Sequence, residues 1–384
     1  MKEAAKALAC KLFHEFALIA LKTVMQDARV TLKQVAERAG VHVSTAWRAL
    51  KNDTYVEPAK RARIRSLATE MGYAPDPMLT ALSNYRRKQA PVAFQSTLSW
   101  INNFSTREEG RALVNIAGYH EGAQRFATQM GFKLEEFWLA EPGMSPKRAR
   151  DVLLARGIRG LVFPPQPLSG TDLGFDVEPF AAVAIGHSLA SPRLHVVASH
   201  QHNASLQALR ELARLGHVRI GMVAATETLR RANHGFESPY HFFQAVQAAK
   251  HRMPLFAIPG REDPRNVATA REDFLAWFRR HRPTAIVCHL SEVRQWLETA
   301  GIIAPTDVSL ATLSRAFDAN WSGIDQQESE IGRRALELLV SLFQSGERGE
   351  PATPLRLLVE GRWTEGETTR RIGPPAEELL DRLS

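Results

Sequence analysis

The stretch Val30-Thr-Leu-Lys-Gln-Val-Ala-Glu-Arg-Ala-Gly40-Val-His-Val-Ser-Thr-Ala-Trp-Arg-Ala-Leu50 spells two short helices joined by a tight turn. Thr31 is placed to cap the first helix, because its hydroxyl can accept a free N–H of the first turn. Leu32, Val35, Ala36 and Ala39 recur at helical spacing and predict one buried face. Gly40 stands where a helix ends in a left-handed residue. A second helix is predicted from Val43 or Ser44, with Ala46, Ala49 and Leu50 inward and Ser44, Thr45, Trp47 and Arg48 outward. Small residues where two such helices cross make a helix-turn-helix. Hydroxyls and an arginine on the outer side of the second helix are groups suited to base edges and phosphates. An ordinary αα-corner is the plainer alternative.

The following residues strengthen the first reading. Asn52-Asp53 is a turn, and Pro58 to Met71 reads as a third helix. Its inward face is expected to be Ala62, Ile64, Leu67, Ala68 and Met71, with Lys60, Arg61, Arg63 and Arg65 outside. Gly72-Tyr73-Ala74-Pro75 ends it. The elements Val-Thr-Leu-Lys-x-Val-Ala-x-x-Ala-Gly-Val, Ser-Thr, Arg-Ala-Leu, Tyr-Val and Met-Gly-Tyr-x-Pro make this region resemble the DNA-binding head of the lactose/galactose-repressor (LacI/GalR) family. The resemblance is strongest over about 30–76 and continues more weakly to the C-terminus.

Charge agrees. The chain has 384 residues and a net charge of +8. Twelve Lys and Arg against five acids lie between Arg29 and Lys88, so nearly all of the excess is on this head. That is where phosphate neutralisation would use it. Hydrophobic residues at 44% and charged residues at 23% suit a soluble globular protein with room for two or three domains. Cys10 and Cys288 form neither a Cys-x-x-Cys pair nor a disulfide framework, which suits a reducing cytoplasm.

Residues 1–28 read as an N-terminal extension. Leu8, Leu12, Phe13, Phe16, Ile19 and Ala20 can share a helix face, but Lys11, His14, Glu15 and Lys22 interrupt a run too short to span a membrane. No small-residue cleavage site follows an apolar core, so a signal peptide is not expected. The resemblance puts the usual start of family members near Met25, leaving a start set too early or an accessory helix as the two readings. Residues 29–75 form the head and 76–90 a linker, in which Asp76-Pro77 reads as N-cap and first helical position. In the family the linker is a hinge helix that folds on DNA, with a leucine at the position of Leu82 wedged into the minor groove. Asp76, Leu79 and Thr80 depart from the family's usual Asn, Ala and Arg there. Altogether the resemblance implies DNA contacts from Thr31, Val43, Ser44, Thr45, Trp47, Arg48, Tyr73 and Leu82, with Trp47 replacing a usually small residue.

From 91 to 384 strands and helices alternate, the pattern of parallel α/β sheets. Strands are predicted at 92–100, 132–139, 160–163, 181–185, 196–198, 218–223, 255–258, 284–288 and 308–310. Helices are predicted at 108–130, 146–156, 204–215, 239–250, 266–280 and 291–300. So many strands imply two lobes. Arg156-Gly-Ile-Arg-Gly160, Leu215-Gly-His-Val-Arg-Ile-Gly221, Pro305-Thr-Asp-Val-Ser309 and Ile331-Gly-Arg-Arg-Ala335 resemble landmarks of the family's core. The expected fold is α/β with an all-α head: an N-terminal helix-turn-helix, then a two-lobed core of parallel sheets of the periplasmic-binding-protein type I.

The chemistry expected of this core is binding. There is no Gly-rich phosphate loop, no Gly-x-Ser-x-Gly elbow and no His-Glu-x-x-His. Neither catalytic residues nor a metal or cofactor are expected; His200-x-His202 lacks further ligands nearby. Ligands sit beyond the carboxyl ends of strands in open α/β sheets. That rule selects Asn102, Asn103, Phe104, Phe163, His187, His200, Arg230, Arg231, His234, His289 and Trp321. Asn and Arg can bracket hydroxyls or a carboxylate, and aromatics can stack on an apolar ring face. The family's Arg-x-x-Gly becomes Arg231-Ala-Asn-His-Gly235, one residue longer, and its Asn-Asp pair is replaced near His289-Leu-Ser291.

The whole predicts a cytoplasmic, nucleoid-associated, homodimeric regulator that binds a pseudo-palindromic operator in double-stranded DNA. A small molecule, a sugar or related metabolite, controls it; no membrane is involved. Two rivals are a sensor-type binding protein, which calls for a signal peptide and no basic head, and an enzyme with a DNA-binding head, which calls for a convergent catalytic set.

Overall fold

The computed structural model describes residues 30–50, 55–73, 94–259 and 264–383. The chain divides into two units, Met1–Val92 and Ala93–Ser384. Leu82, the Asp76-Pro77 start and the 1–28 extension lie outside the described residues.

In the first unit, helices α1 (Leu32–Ala39), α2 (Val43–Leu50) and α3 (Pro58–Glu70) enclose a small core. Thr31 caps α1 as expected: its Oγ1 accepts from the Gln34 N–H (3.3 Å), and Gln34 Oε1 accepts from the Thr31 N–H (2.7 Å). Gly40 takes φ +66°, a conformation that a side chain would strain. Val35, Ala36, Ala46, Ala49, Val56, Ile64 and Ala68 are buried together. The alanines let helix backbones approach, and the smallness of this core ties its stability to each of them. Ala62 is a correction. It is exposed, because the inward positions Ile64 and Ala68, with half-buried Leu67 and Met71, follow the helical period and leave Ala62 on the far side.

The second unit holds two six-stranded sheets. The first runs β13-β7-β5-β3-β1-β2, with β1 (Ser96–Asn102), β2 (Phe132–Trp138), β3 (Gly160–Phe163), β5 (Ala181–Ile185), β7 (His195–Ser199) and β13 (Arg356–Val359), all parallel. The second runs β14-β12-β11-β10-β8-β9, with β8 (Ile220–Ala225), β9 (Phe256–Ile258), β10 (Ala285–Cys288), β11 (Ser309–Thr312), β12 (Ser322–Asp325) and β14 (Arg362–Thr364). Only β14 is antiparallel. A two-stranded pair, β4 (Thr171–Asp172) and β6 (Leu189–Ser191), flanks the first sheet's loops.

Helices cover both faces of each sheet, as parallel sheets require. On the first lie α4 (Arg107–Ala112), α5 (Val114–Gln129), α6 (Pro146–Ala155) and α12 (Glu328–Ser345). With the second sheet go α7 (Gln201–Arg214), α8 (Thr226–Arg231), α9 (Glu237–Val246), α10 (Pro264–His281), α11 (Glu292–Thr299) and α13 (Glu377–Leu383). The single helix expected over 108–130 is two, broken at Leu113 in extended conformation (φ −74°, ψ 111°). The break lets α4 fold over the loop after β1, where a Cβ on Gly110 would come within 2.8 Å of the Phe104 ring.

The chain passes between sheets three times: at His200, at Gln326-Gln327 and at Glu360-Gly361. Two crossings are tied together, since Glu360 Oε1 lies 2.6 Å from His200 Nδ1 and Glu360 Oε2 accepts from Asn203 Nδ2 (2.5 Å). Just after the second, α12 packs closely against α5 in the first lobe. A Cβ on Gly122 would lie 1.8 Å from the Ser329 carbonyl oxygen, and one on Gly332 would lie 1.8 Å from that of Tyr119.

Candidate functional site

On the head, α2 presents Val43, Ser44, Trp47 and Arg48 on one exposed face, because positions i, i+1, i+4 and i+5 share a side of a helix. Val43 is 37% and Trp47 53% exposed, unusual for apolar groups of that size. Ser44 Oγ lies 2.8 Å from His42 Nδ1, which also accepts from the Ser44 N–H. Thr45 is half-buried, Thr31 is engaged in its cap, and Tyr73 packs at the edge of the head's core. The exposed face therefore combines apolar surface, one hydroxyl and one guanidinium. These are groups that contact thymine methyls, base edges and phosphates.

In the core, the carboxyl ends of β10 and β11 border a recess open to solvent, lined by His289, Ser291, Ser314, Phe317 and Trp321 among others. His289 stands between Phe236 (ring centroids 5.8 Å apart) and Phe317 (5.5 Å, edge-on). Ser314 Oγ donates to Glu328 Oε1 at 3.4 Å, so the start of α12 reaches the wall of the recess. Burial is the main influence on Glu328 and raises its pKa, as does nearby Asp325. Across the lobes, the Glu227 carboxylate accepts from the backbone N–H (2.5 Å) and hydroxyl (3.1 Å) of Ser169.

The other expected effector residues are dispersed. Asn103 Nδ2 donates to Gln166 Oε1 (3.2 Å) at the end of the first sheet. Asn102 is spent on its own loop, accepting from the Phe104 N–H (3.0 Å) and donating to the Arg107 carbonyl (3.3 Å). Phe104 is buried, and its carbonyl accepts from Trp138 Nε1. Phe163 is fully buried against Phe175, on the side of β3 that faces α6. Its place in that cluster follows from strand alternation, and it is packing rather than cleft wall. Trp321 lies under the recess within a core cluster. His200 serves the crossing described above. Arg230 pairs loosely with Glu227 (3.8 Å), whereas Arg231 is half-buried. His234 pairs with Glu237, in a loop where Asn233 and His234 both have positive φ. The extra residue of Arg231-Ala-Asn-His-Gly235 is thus accommodated in the left-handed region, which costs about 1–3 kcal/mol per residue. Among the described residues no group of three or more His, Cys, Asp or Glu is arranged to hold a metal.

His187 sits beside β13, with Nδ1 2.8 Å from Arg356 Nη1. Burial, and then the Arg356 charge, push its pKa down from 6.5 to about 4. Between those values the unfolded chain binds a proton that the folded chain refuses, so stability falls as pH drops through this window. The loss is about 3 kcal/mol at most. Substituting His187→Gln should shrink the fall in melting temperature between pH 7 and pH 5. An equal fall in both proteins refutes the assignment.

Residues 31–76 match the family model described as bacterial regulatory proteins, lacI family, and residues 209–369 match that of a periplasmic binding protein-like domain. The head is thus a lacI-type helix-turn-helix domain and the core a periplasmic-binding-like domain. It is 25% identical over 352 residues to the HTH-type transcriptional repressor CytR of Escherichia coli (strain K12), covering 84% of this chain and 93% of the relative. It is 23% identical over 332 residues to the HTH-type transcriptional repressor PurR of Aliivibrio fischeri, covering 81% and 90%. Two solved structures share the fold. A transcriptional regulator CelR–cellobiose complex has TM-score 0.53 and 18% identity, over 88% of this chain and 100% of that one. A regulatory protein of LacI family from Chloroflexus aggregans has TM-score 0.54 and 18% identity, over 71% and 98%. Among the described residues no helix is long and apolar enough to cross a membrane.

Proposed function

We propose that this protein is a DNA-binding transcription regulator, acting as a repressor, whose hold on an operator is set by a small molecule bound between the two lobes. The observation that carries it is one chain holding both the exposed Val43-Ser44-Trp47-Arg48 face and a two-sheet core with a recess at its strand ends. In this reading residues 29–75 bind DNA, 76–90 form the hinge, and 91–384 bind effector and dimerise. The protein acts in the cytoplasm, on the nucleoid, as a homodimer on a pseudo-palindromic site, and it is not an enzyme. The repressor titles of its relatives support this reading, and the cellobiose-bound regulator of the same fold is a precedent for a small polar ligand. Ligand acts by its different affinity for two arrangements of the lobes. The Ser169–Glu227 bridge and the Glu360 crossing are the contacts such a motion would alter.

The test is affinity for a selected operator and for random DNA at fixed salt. Arg48→Ala should lose about 1–3 kcal/mol on operator and much less on random DNA, if the guanidinium reads a base. Equal loss on both assigns Arg48 to phosphate. In the same assay Leu82→Ala should weaken operator binding alone; an unchanged operator affinity removes the minor-groove wedge from the mechanism.

A further inference from the structure

The recess borders the carboxyl ends of strands in the second sheet; the amino ends of that sheet gather cations. Four segments meet there. Arg219, just ahead of β8, donates through its guanidinium to the carbonyls of His281 and Arg282 at the end of α10, and its own carbonyl accepts from the Thr284 N–H (2.8 Å). Gln247 Nε2 donates to the Val218 carbonyl (2.7 Å) and Trp277 Nε1 to that of Pro254 (3.1 Å), which draws the Ala249–His251 turn to the same edge. His217 lies 3.1 Å from Thr284 Oγ1 through one ring nitrogen and 3.1 Å from the Arg370 carbonyl through the other. The Ile372 N–H donates to the Leu215 carbonyl (2.9 Å), so the segment after β14 joins the group. These contacts place Arg279, Arg280 and Arg282, Lys250 and Arg252, and Arg370 and Arg371 at one end of the sheet, all exposed.

Acids do not answer these cations. Among the described residues none of the seven is in an ion pair. On adjoining segments Glu211 pairs with Arg214, Asp307 accepts from the Ile303 N–H (2.8 Å), and Glu272 and Asp273 stand two turns back along α10. Outside the head the chain is close to neutral, so this is segregation and not a generally basic surface. Like charges within a Debye length repel, and a polyanion relieves that cost. Cations in the last turn of α10 do complement its dipole. That account does not reach Lys250, Arg252, Arg370 or Arg371, which end no α-helix. Protein interfaces centre on aromatic and other large anchors. On these segments no Phe, Tyr or Trp is exposed, and the exposed large apolar groups are Ile303 and Ile372. Guanidinium and ammonium groups without such anchors fit a run of phosphates. We propose that the amino end of the second sheet is a second DNA-binding surface, which takes the phosphate backbone of a duplex without regard to sequence. One molecule then holds two duplex segments at once. This goes beyond the operator reading above and uses none of its residues.

The experiment uses three full-length proteins: wild type, Lys250→Gln/Arg279→Gln/Arg280→Gln, and the charge-keeping Lys250→Arg/Arg279→Lys/Arg280→Lys. Among the described residues these three side chains make no hydrogen bond, so the Gln variant should melt within about 2 °C of wild type. Protein saturating an immobilised operator duplex is offered a labelled duplex of random sequence at about 50 mM salt. Wild type and the charge-keeping variant should capture it. The Gln variant should capture at least about fivefold less, with operator affinity the same in all three. No capture by wild type, or equal capture by the Gln variant, overturns the proposal. So does loss of capture in the charge-keeping variant. Capture of poly-L-glutamate and not of duplex gives the surface to an acidic protein and overturns it too. If the Gln variant melts lower than stated, Lys250→Gln alone, on a separate segment, decides: a loss of capture of about twofold or more supports the proposal and no loss overturns it. Failure of wild type to bind any operator would strike the operator reading. The same capture with random duplex on the surface would still judge the second site.

Discussion

Gly122→Val should lower the melting temperature of the second unit by roughly 6–12 °C. A Cβ on Gly122 lands 1.8 Å from the Ser329 carbonyl oxygen, and its other close neighbours are also backbone atoms of α12. A side chain in the way could rotate, but a helix backbone must move as a body. Overpacking costs about 1–3 kcal/mol where side chains yield, and more where they do not. At about 2–4 °C per kcal/mol for a unit of this size, a penalty near 3 kcal/mol gives the stated range. The displacement would not stay local. Ser329 follows Glu328, whose carboxylate reaches Ser314 of the other lobe, so parting α5 from α12 also disturbs the recess. Gly332→Ala meets the Tyr119 carbonyl at the same 1.8 Å and should act in the same direction. A melting temperature within 2 °C of wild type for both variants would mean that the helices slide apart at little cost.

That crossing also shows where sequence reading stopped. Ile331-Gly-Arg-Arg-Ala335 was legible as a landmark, yet nothing local says that Gly332 must face the backbone of a helix two hundred residues earlier. The strands β3 and β5 were placed to the residue, because a short apolar run bounded by Gly or Pro has few alternatives. The strands β12, β13 and β14 were not foreseen. β13 lies at a sheet edge with Leu357 and Leu358 exposed, so its hydrophobicity carries no alternation, and β14 is only three residues long.

The site divides in the same way. Helical period made Ser44, Trp47 and Arg48 readable together on the face of α2, whereas Thr45, expected beside them, is half-buried and Val43 entered only through the family resemblance. The core residues depend on which way a strand-end side chain points. In a strand buried on both faces, the sequence Gly160-Leu-Val-Phe163 cannot say that Phe163 turns toward Phe175 while Val162 joins the opposite cluster. Asn102 has the right chemistry for a ligand, but its amide is consumed by the loop it closes. Ser169, Glu227, Phe236 and Phe317 were missed because their roles arise only when distant loops meet. One signal was available: Glu227 lies four residues before Arg231, so one helical turn brings the acid and the base to the same side.

The head offers the sharpest contrast between losing a contact and losing a fold. Ala46 is 0% exposed, at the centre of a core otherwise made of Val35, Ala36, Ala39, Ala49, Val56, Ile64 and Ala68. None of these belongs to the clusters that hold the second unit together. Ala46→Asp would bury a carboxylate with no counter-charge among those residues, at a cost of about 3–5 kcal/mol. A core this small supplies only about 3–5 kcal/mol in total. The head should therefore be largely unfolded, with operator affinity down at least about tenfold in proportion to the folded fraction. Binding to random DNA should fall with it, since the basic residues of α3 are held in place by the same core. This is the difference from Arg48→Ala, which should spare random DNA. The thermal transition of the second unit should be unchanged. If Ala46→Asp leaves operator binding intact, α2 is not the element that enters the groove. If it lowers the second unit's transition as well, the two units do not fold as separate cores.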